Sequence, residues 1–321
     1  MSSRVGRPNG NRVRRTGVQH RPSASRASGP TILDGESGKS GPGASGDRVD
    51  PERMKVVVLI KAAPVLTHDL EETMCVAGIR TDSGDPQWIR LHPVPFRDLA
   101  DDSKFAKYQT VSLAARRPRS DRRPESWSPV SGSIIPSELM GTENGWAQRR
   151  HLVDRLGEAR MCDLIEANRS GSGPDTPSLA VVRPIESPRL KITQRDELKL
   201  GEWRRRAAGA ASRMSLFDDP SVSKPDFEVV PWRFQYEFRC SAPRCNGHRQ
   251  TIVDWEALAL WRHVRHQPDW RDQMRLKFEE TLWKGRDTVL FVGNQEQYPV
   301  SFLVLGVFWP PAGAAQGLLD L

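Results

Sequence analysis

Residues 240–256 read Cys-Ser-Ala-Pro-Arg-Cys-Asn-Gly-His-Arg-Gln-Thr-Ile-Val-Asp-Trp-Glu and decide the architecture of the C-terminal part of the chain. Cys240, Cys245 and His248 are separated by four and two residues on a turn that contains Pro and Gly. This spacing can direct two thiolates and an imidazole at one Zn²⁺, the predicted cofactor. Because the motif holds three ligands, it is compatible with a closed structural site and with an open catalytic site.

Several residues are candidates for the fourth zinc ligand. We predict His263, with His266 as second choice, because the helix after the motif can return its C-terminal end towards the metal. Cys75 lies in a predicted strand and Cys162 on the apolar stripe of a predicted helix, so we interpret both as buried small hydrophobic residues. Either could in principle supply the ligand, although neither is near the motif in sequence.

Asp254 and Glu256 admit two interpretations. In the first, Asp254 caps the next helix and Glu256 in its first turn is stabilised by the helix dipole. In the second, His248, Asp254 and Glu256 form the catalytic set of a nuclease that uses Mg²⁺ or Mn²⁺, because phosphodiester hydrolysis needs an activated water and a cation. We prefer the first interpretation, since it asks for fewer special geometries.

The sequence around the motif predicts a small α/β domain over residues 232–311, followed by a tail at 312–321. Large aromatic residues alternate with polar ones before Cys240, which is typical of a half-exposed strand. The predicted strands are 232–239, 251–253, 287–292 and 301–309, and the predicted helices are 255–266 and 269–284.

Residues 54–195 predict a β-rich domain with one long helix, so the fold class is α+β. The run at 56–61 is continuously apolar, as expected for a strand buried on both faces. The helix is predicted over 142–169, with Thr142 as its cap. The other predicted strands are 73–80, 87–94, 108–116, 179–185 and 190–194.

An arginine-rich loop and one face of a neighbouring strand predict a nucleic-acid contact. Guanidinium groups pair bidentately with phosphate and indoles supply a stacking plane for bases. An ordinary half-buried strand and a solvated arginine loop explain the same pattern. The predicted contact residues are Trp88, Arg90, Arg116, Arg117, Arg119, Arg122, Arg123 and Trp127.

Residues 196–231 predict a linker between the two domains. Within it, Arg213-Met214-Ser215-Leu216-Phe217 resembles the short linear motif by which many bacterial replication and repair proteins dock on the sliding clamp, usually written Gln-Leu-Ser/Asp-Leu-Phe. The resemblance implies that Leu216 and Phe217 fill an apolar pocket of the clamp, with Met214 replacing the usual Leu. Arg213 departs from the usual Gln. Alternatively, Leu216 and Phe217 pin the linker to one of the domains.

The 321 residues carry a net charge of +8, unevenly distributed. Residues 1–53 hold ten Lys and Arg against five acidic residues and are dominated by Gly, Ser, Pro and Arg, so we predict a disordered basic tail. The tail either contacts phosphates or is simply solvated. Translation could also begin at Met54, where the apolar run opens.

These features predict a cytosolic bacterial protein that is associated with DNA. No apolar run reaches the roughly 18 residues that span a bilayer, and four cysteines do not form a secreted disulfide scaffold. Gly-rich phosphate loops, G-x-S-x-G elbows and H-E-x-x-H pairs are absent from the sequence. We therefore predict a zinc-stabilised nucleic-acid-binding adaptor in replication, repair or defence against foreign DNA, with a metal-dependent nuclease as the alternative.

Overall fold

A computed structural model of the chain describes residues 50–66, 72–171, 176–211 and 227–313, and within these ranges the fold is α+β, as predicted. Most of the predicted basic tail, the clamp-like motif and the end of the C-terminal tail lie outside the described residues. The strands are β1 (Glu52–Lys61), β2 (Val65–Leu66), β3 (Glu72–Arg80), β4 (Gln87–Val94), β5 (Gln109–Arg116), β6 (Ser126–Pro129), β7 (Ile135–Leu139), β8 (Glu158–Ala159), β9 (Leu179–Val182), β10 (Arg189–Gln194), β11 (Trp232–Phe238), β12 (His248–Thr251), β13 (Val289–Gln295) and β14 (Tyr298–Phe308). The helices are α1 (Glu143–Asp154), α2 (Met161–Ser170), α3 (Glu197–Ala211), α4 (Trp255–Val264) and α5 (Trp270–Arg275).

The N-terminal part of the fold is a small closed barrel. Strands β1, β3, β4, β6 and β5 pair in that order, and β5 returns to pair with β1, so that the ring closes. All of these pairings are antiparallel except the one between β4 and β6. Closure leaves few exposed edges, and β7 covers part of β5 while β2 pairs with β3.

From Val56 to Lys61 both faces of β1 are buried, as the continuous apolar run predicts. Val56 and Val58 point into the barrel core, whereas Val57 and Leu59 pack against the sheet that lies outside the barrel. Side chains on a strand alternate between its two faces, so a strand that is covered on both sides must be apolar throughout. The barrel and the neighbouring sheet therefore share one wall.

The C-terminal part contains two further sheets. One has the order β14-β13-β9-β8, and the other has the order β10-β11-β12. On β13, Phe291 faces the barrel while Leu290 and Val292 face the C-terminal core, which also holds α4 and α5. Strand pairing runs across the boundary predicted near residue 195, because β10 pairs with β11 and β9 pairs with β13.

The prediction of one long helix over 142–169 is wrong. The segment forms α1 and α2, separated by the short strand β8 that pairs in parallel with β9. Gly157 before β8 has a φ of 68°, a left-handed conformation that interrupts the helix. The helix predicted over 269–284 is likewise interrupted, since α5 ends at Arg275 and continues as a π-helical turn. In the described residues no helix is both long and apolar enough to cross a membrane.

Candidate metal centre and basic surface

Four metal-ligating side chains converge beside the Pro/Gly turn. Cys162, Cys240, Cys245 and His248 each direct one ligand atom into a cluster in which all of these atoms lie within 4.8 Å of one another. Cys240 and Cys245 are buried, and the other two residues are half-buried. All four cysteines of the chain are free thiols, so the cluster is not cross-linked by a disulfide.

Four of the six distances between the ligand atoms are known, and they are compatible with a tetrahedral zinc site. The Sγ atoms of Cys162 and Cys240 are 3.6 Å apart, and His248 Nε2 lies 3.2 to 3.5 Å from the sulfurs of Cys245, Cys240 and Cys162. A Zn²⁺ with Zn–S bonds of about 2.3 Å and a Zn–N bond of about 2.0 Å would separate its ligand atoms by roughly 3.5 to 3.8 Å. Three thiolates and one imidazole form a common set for structural zinc.

Local structure places each ligand. Cys240 follows β11 and pairs with Pro184 through an isolated bridge, while the amide of Cys245 bonds to Ala242 O at 3.1 Å and closes the turn. Gly247 has a φ of 94°, which a residue with a Cβ rarely adopts, and this conformation leads the chain into β12. His248 is the first residue of β12, so its ring returns towards the two cysteines.

The protonation chemistry of the cluster is suited to metal binding. Burial lowers the pKa of His248, which keeps the imidazole neutral at pH 7. Burial alone would raise the pKa of Cys245, but hydrogen bonds from the backbone of Cys240 and Gly247 outweigh it and lower the pKa overall. Burial and the neighbouring thiols raise the pKa of Cys162 to about 12. A metal at this cluster must therefore displace thiol protons when it binds.

The prediction that His263 supplies the fourth ligand is wrong, because His263 is exposed near the end of α4 and lies outside the cluster. His266, the second choice, is also exposed and outside it. The position is taken by Cys162, the second residue of α2, whose neighbours Met161 and Leu164 anchor the helix in the C-terminal core. Cys162 is far from Cys240 in the sequence, so only the fact that it is a cysteine could have indicated it as a candidate ligand.

The structure separates the three residues of the nuclease alternative. His248 Nε2 faces the three thiols, whereas Asp254 is buried and accepts two hydrogen bonds from Lys107 Nζ at 2.8 and 3.0 Å. Asp254 also accepts the backbone N–H of Glu256 at 3.0 Å, which confirms the prediction that it caps α4. Among the described residues, Asp254 and Glu256 are not part of any group of three or more metal-ligating side chains.

Arg90 is not available to a nucleic acid. It is 4% exposed, and its guanidinium donates to Ser178 O and Oγ at 3.3 and 3.1 Å and to Cys75 Sγ at 3.7 Å. Its Nε faces Glu125 Oε1 at 3.7 Å. A parallel strand, β6, covers this side of β4 and carries the adjacent Glu125 loop into contact with Arg90, which a strand pattern alone does not reveal.

Two tryptophans predicted as stacking surfaces are occupied by the protein itself. Trp127 is buried in the barrel core, and the Arg117 guanidinium lies 3.9 Å from the centre of its ring. Arg117 also donates to the carbonyls of Pro124 and Ser126. Trp88 is half-buried, with its ring edge-on to Phe291 at 5.9 Å. Trp127 and Arg117 are therefore not free to stack on a base.

The remaining arginines of the loop differ in availability. Arg116, Arg119 and Arg122 are exposed. Arg123 is half-buried, because it holds both carboxylate oxygens of Asp121 and donates to Asn294 O at 2.7 Å. Asn294 is buried on β13, so Arg123 ties the base of the loop to the C-terminal sheet.

A second basic segment was not predicted as a contact. Arg239 and Arg244 are exposed on the turn that carries the cysteines, and Arg249 beyond it pairs with Glu237 at 2.7 Å. The residue types were visible in the sequence, but the motif was interpreted only for its ligands. The turn therefore displays cations on the outside and metal ligands on the inside.

Three solved structures resemble parts of the fold weakly. They are the tetrameric p202 HIN2 (10% identity, TM-score 0.27, covering 65% of this chain and 74% of that one), a murine DNA binding protein bound with ds DNA (10%, 0.28, 80% and 94%) and the p204 HINb domain (9%, 0.31, 81% and 96%). Similarities this low establish neither a common fold nor a common function. Comparison with curated proteins gives no match.

Two family profiles match the chain, one after the other. Residues 52–155 match the description "Domain of unknown function (DUF8758)", and these residues include the barrel and α1. Residues 157–320 match "Domain of unknown function (DUF8757)", and these residues include all four ligands of the cluster. Since this second match spans more than half of the chain, the protein belongs to the DUF8757 family.

Proposed function

We propose that this protein binds nucleic acid, with DNA as the expected form, through exposed arginines on a scaffold that a structural Zn²⁺ stabilises. The observation that carries the proposal is the state of Arg116 and Arg119 at the β5–β6 loop. Both are exposed, and neither forms an ion pair with a carboxylate in the part of the chain that the structure describes. Their guanidinium groups are available to phosphate.

Many other arginines are already engaged. Arg183, for example, pairs with Glu158 and Asp287 at 2.6 and 2.5 Å, and Arg80 pairs with Glu52 and Asp82 at 2.6 and 2.8 Å. A phosphate that approached these residues would have to compete with a carboxylate. Arg116 and Arg119 face no such competition. A phosphate that binds there therefore gains the full binding free energy from the release of its counterions.

The proposed zinc has a structural role. The protein supplies all four ligands, which leaves no open position for substrate or for an activated water. The metal would join α2 to the turn after β11 and so hold Arg239 and Arg244 in place. This argues for a binding protein, because the nuclease alternative needs an open metal and free carboxylates, and Asp254 is held by Lys107.

Fluorescence anisotropy with labelled duplex DNA, single-stranded DNA and RNA tests the proposal. The informative variants are Arg116→Gln/Arg119→Gln and, separately, Arg239→Gln/Arg244→Gln. The matched control is Arg169→Gln/Arg275→Gln, which removes the same charge from two exposed arginines that pair with Glu166 and Asp272. Titrations between about 50 and 200 mM salt give the number of phosphate contacts.

We expect wild-type protein to bind duplex DNA with a strong salt dependence. The Arg116→Gln/Arg119→Gln variant should weaken binding on all sequences alike and reduce the slope of log K against log salt by about 2, roughly one for each lost phosphate contact. The control should bind as the wild type does. Absence of binding to every probe at low salt, or an equal loss in the control, would overturn the proposal.

A further inference from the structure

A cleft lies where the barrel meets the C-terminal sheets. It has a volume of about 310 Å³, and its wall includes Arg90 from β4, Arg195 after β10, Trp203 on α3, Trp232 on β11 and Leu258 on α4. Ligand pockets in proteins have volumes of roughly 300 to 1,000 Å³, so this one suits a single small ligand. The first and last of these elements belong to different family matches.

Arg195 is an unusual cation in this wall. Its Nε donates to Trp232 O at 3.0 Å, and its guanidinium lies 5.0 Å from the centre of the Trp203 ring. Throughout the described ranges no carboxylate lies within ion-pair distance of it. Burial, with the nearby charge of Arg233, lowers the pKa of Arg195 to about 10, yet the group is still charged at pH 7.

Other cations in the wall have counter-ions. Arg97 pairs with Glu72 at 2.5 Å, and Arg262 pairs with Glu228 at 2.5 Å. A half-buried guanidinium without a carboxylate is costly, and an anion from outside the protein would compensate it. Among the described residues of the wall, Arg195 is therefore the cation that an anionic ligand would compensate.

The same wall is aromatic. Trp203 and Trp232 are half-buried, and Phe234 is buried. The Trp232 ring already packs against Trp270, with ring centres 5.1 Å apart, and against the Arg271 guanidinium at 4.5 Å, so Trp203 is the indole that a ligand can use. Indole rings next to a guanidinium form a surface on which a planar aromatic ring can stack while its anionic substituent pairs with the arginine. Within the described residues, the wall residue Glu72 also keeps a buried polar atom, Oε1, without a hydrogen-bond partner. Buried polar atoms of this kind call for a ligand or water nearby.

The cleft is connected to the arginine loop. Arg123 lines it and, through Asn294, fixes the base of the β5–β6 loop against β13. Arg116 and Arg119 belong to that same loop. A nucleic acid strand on the loop would thus lie close to the cleft entrance, because the loop and the cleft share Arg123.

We propose that this cleft binds one nucleotide unit, with the phosphate on Arg195 and the base against Trp203. The inference deepens the proposed nucleic-acid binding and rests on it for the source of the ligand. That source is either a free nucleoside monophosphate or one nucleotide turned out of a bound strand. Turning a nucleotide out of a duplex costs least at a mismatched or unpaired position.

Cys75 provides a direct readout of occupancy. It lines the cleft and is half-buried with a free thiol. Alkylation of Cys75, followed by peptide mass spectrometry, distinguishes it from the three cysteines of the metal centre. The probes are the four deoxynucleoside monophosphates, inorganic phosphate, a perfect duplex and a duplex with one mismatch. Calorimetry with the monophosphates supplies affinities.

The variants are Arg195→Gln, Arg195→Lys and the control Arg204→Gln, an exposed arginine on α3 that faces Glu197 at 3.7 Å. We expect at least one monophosphate or the mismatched duplex to slow Cys75 alkylation. Arg195→Gln should lower the affinity for that ligand at least tenfold. Arg195→Lys should restore part of the affinity, and Arg204→Gln should leave the affinity unchanged.

The outcomes separate the two proposals. If monophosphates protect Cys75 from alkylation, the ligand is a free nucleotide. If only the mismatched duplex protects Cys75, the ligand is a nucleotide turned out of the strand. Duplex binding that depends on Arg116 and Arg119 but leaves Cys75 reactive and ignores Arg195→Gln overturns the cleft proposal while the proposed function stands. Protection by monophosphates in a protein that binds no nucleic acid keeps the nucleotide site and overturns the proposed function.

Discussion

The Sγ atoms of Cys162 and Cys240 lie 3.6 Å apart although the two residues are separated by 78 positions in the sequence. Cys162 belongs to α2, and Cys240 to the turn after β11. Residues 157–320 match the family profile. A metal bound by both cysteines would connect the start of this segment to its middle. Closing a loop of this length restricts the unfolded chain, so the metal would stabilise the fold as well as the turn.

The first prediction concerns this long-range ligand. Cys162→Ser should lose most of the bound zinc and lower the free energy of unfolding by about 4 kcal/mol or more, as expected when a structural metal is lost. With an unfolding entropy of about 2.1 cal/mol/K per residue, that corresponds to a fall in Tm of roughly 6 to 8 °C. Metal analysis by mass spectrometry and thermal unfolding measure the two effects.

Matched variants make the result specific. Cys75→Ser and His263→Ala should keep one zinc per chain, because neither residue belongs to the cluster. If Cys162→Ser does not fold, Cys162→His should fold and retain the metal, since imidazole also binds Zn²⁺. Full zinc content in Cys162→Ser, or loss of zinc in His263→Ala, would show that the ligand set is different.

Short-range sequence patterns predicted three of the four residues of the cluster. Cys240, Cys245 and His248 lie within one turn, so their spacing alone brings them together. Cys162 is placed by the packing of α2 on the C-terminal core, and that packing is a tertiary effect. A single sequence does not contain the distance between two remote elements, which is why the exposed His263 was preferred.

The strands were predictable for a related reason. The strand 87–94 and the continuous run within β1 follow from alternation and burial, which operate locally. The break at Gly157 was not predictable, because Glu158 and Ala159 become a strand only by pairing with Val181 and Val182 of β9. Helical spacing on both sides of the break made one helix look continuous.

The prediction that Arg90 contacts nucleic acid is wrong because Arg90 is buried. Arg90 alternates with aliphatic residues as an exposed residue would, yet it is buried among Glu125, Ser178 and Cys75. Composition does not distinguish a guanidinium that faces solvent from one that is paired inside. For Arg116 and Arg119, which end a strand and occupy a loop, exposure was the safer expectation.

The second prediction concerns the buried pair of Lys107 and Asp254. Lys107→Met should lower the free energy of unfolding by about 3 to 5 kcal/mol, because it leaves a buried carboxylate without its partner. Asp254→Asn should lower the free energy of unfolding by less than Lys107→Met does. The reason is that Asn still caps α4 and Lys107 keeps its ion pair with Glu256 at 3.4 Å. Chemical denaturation of both variants, with Glu138→Gln as the exposed control, checks this order. A larger loss in Asp254→Asn than in Lys107→Met would contradict it.

The third prediction concerns residues 213–217, which lie outside the described residues. If the segment docks on the bacterial sliding clamp, purified clamp should retain the wild-type protein in a pull-down. Leu216→Ala/Phe217→Ala should abolish retention, because these side chains would fill the apolar pocket. Arg213→Gln should strengthen it, since Gln is the usual first residue of the motif. Equal retention of all three proteins would remove the clamp from consideration.

The fourth prediction concerns Lys61, whose Nζ donates to Phe105 O at 2.9 Å and lies 3.6 Å from the centre of the Phe96 ring. Burial, with the nearby charge of Lys107, lowers the pKa of Lys61 from 10.5 to about 8. Between these values the unfolded chain binds a proton that the folded protein has released. The free energy of unfolding must therefore rise with pH across this window and fall as pH drops towards 8.

After allowance for solvent screening, the rise that Lys61 contributes is on the order of 1 to 2 kcal/mol. Lys61→Met should remove it, because the variant has no group that titrates at this position. Chemical denaturation of both proteins at several pH values between 7.5 and 9.5, with zinc present throughout, measures the difference. Taking the difference between the two proteins cancels the titration of every other group that the substitution does not affect. Parallel pH profiles would mean that Lys61 is charged in the folded protein, and that Phe96 and the Phe105 carbonyl solvate its ammonium well enough to offset burial.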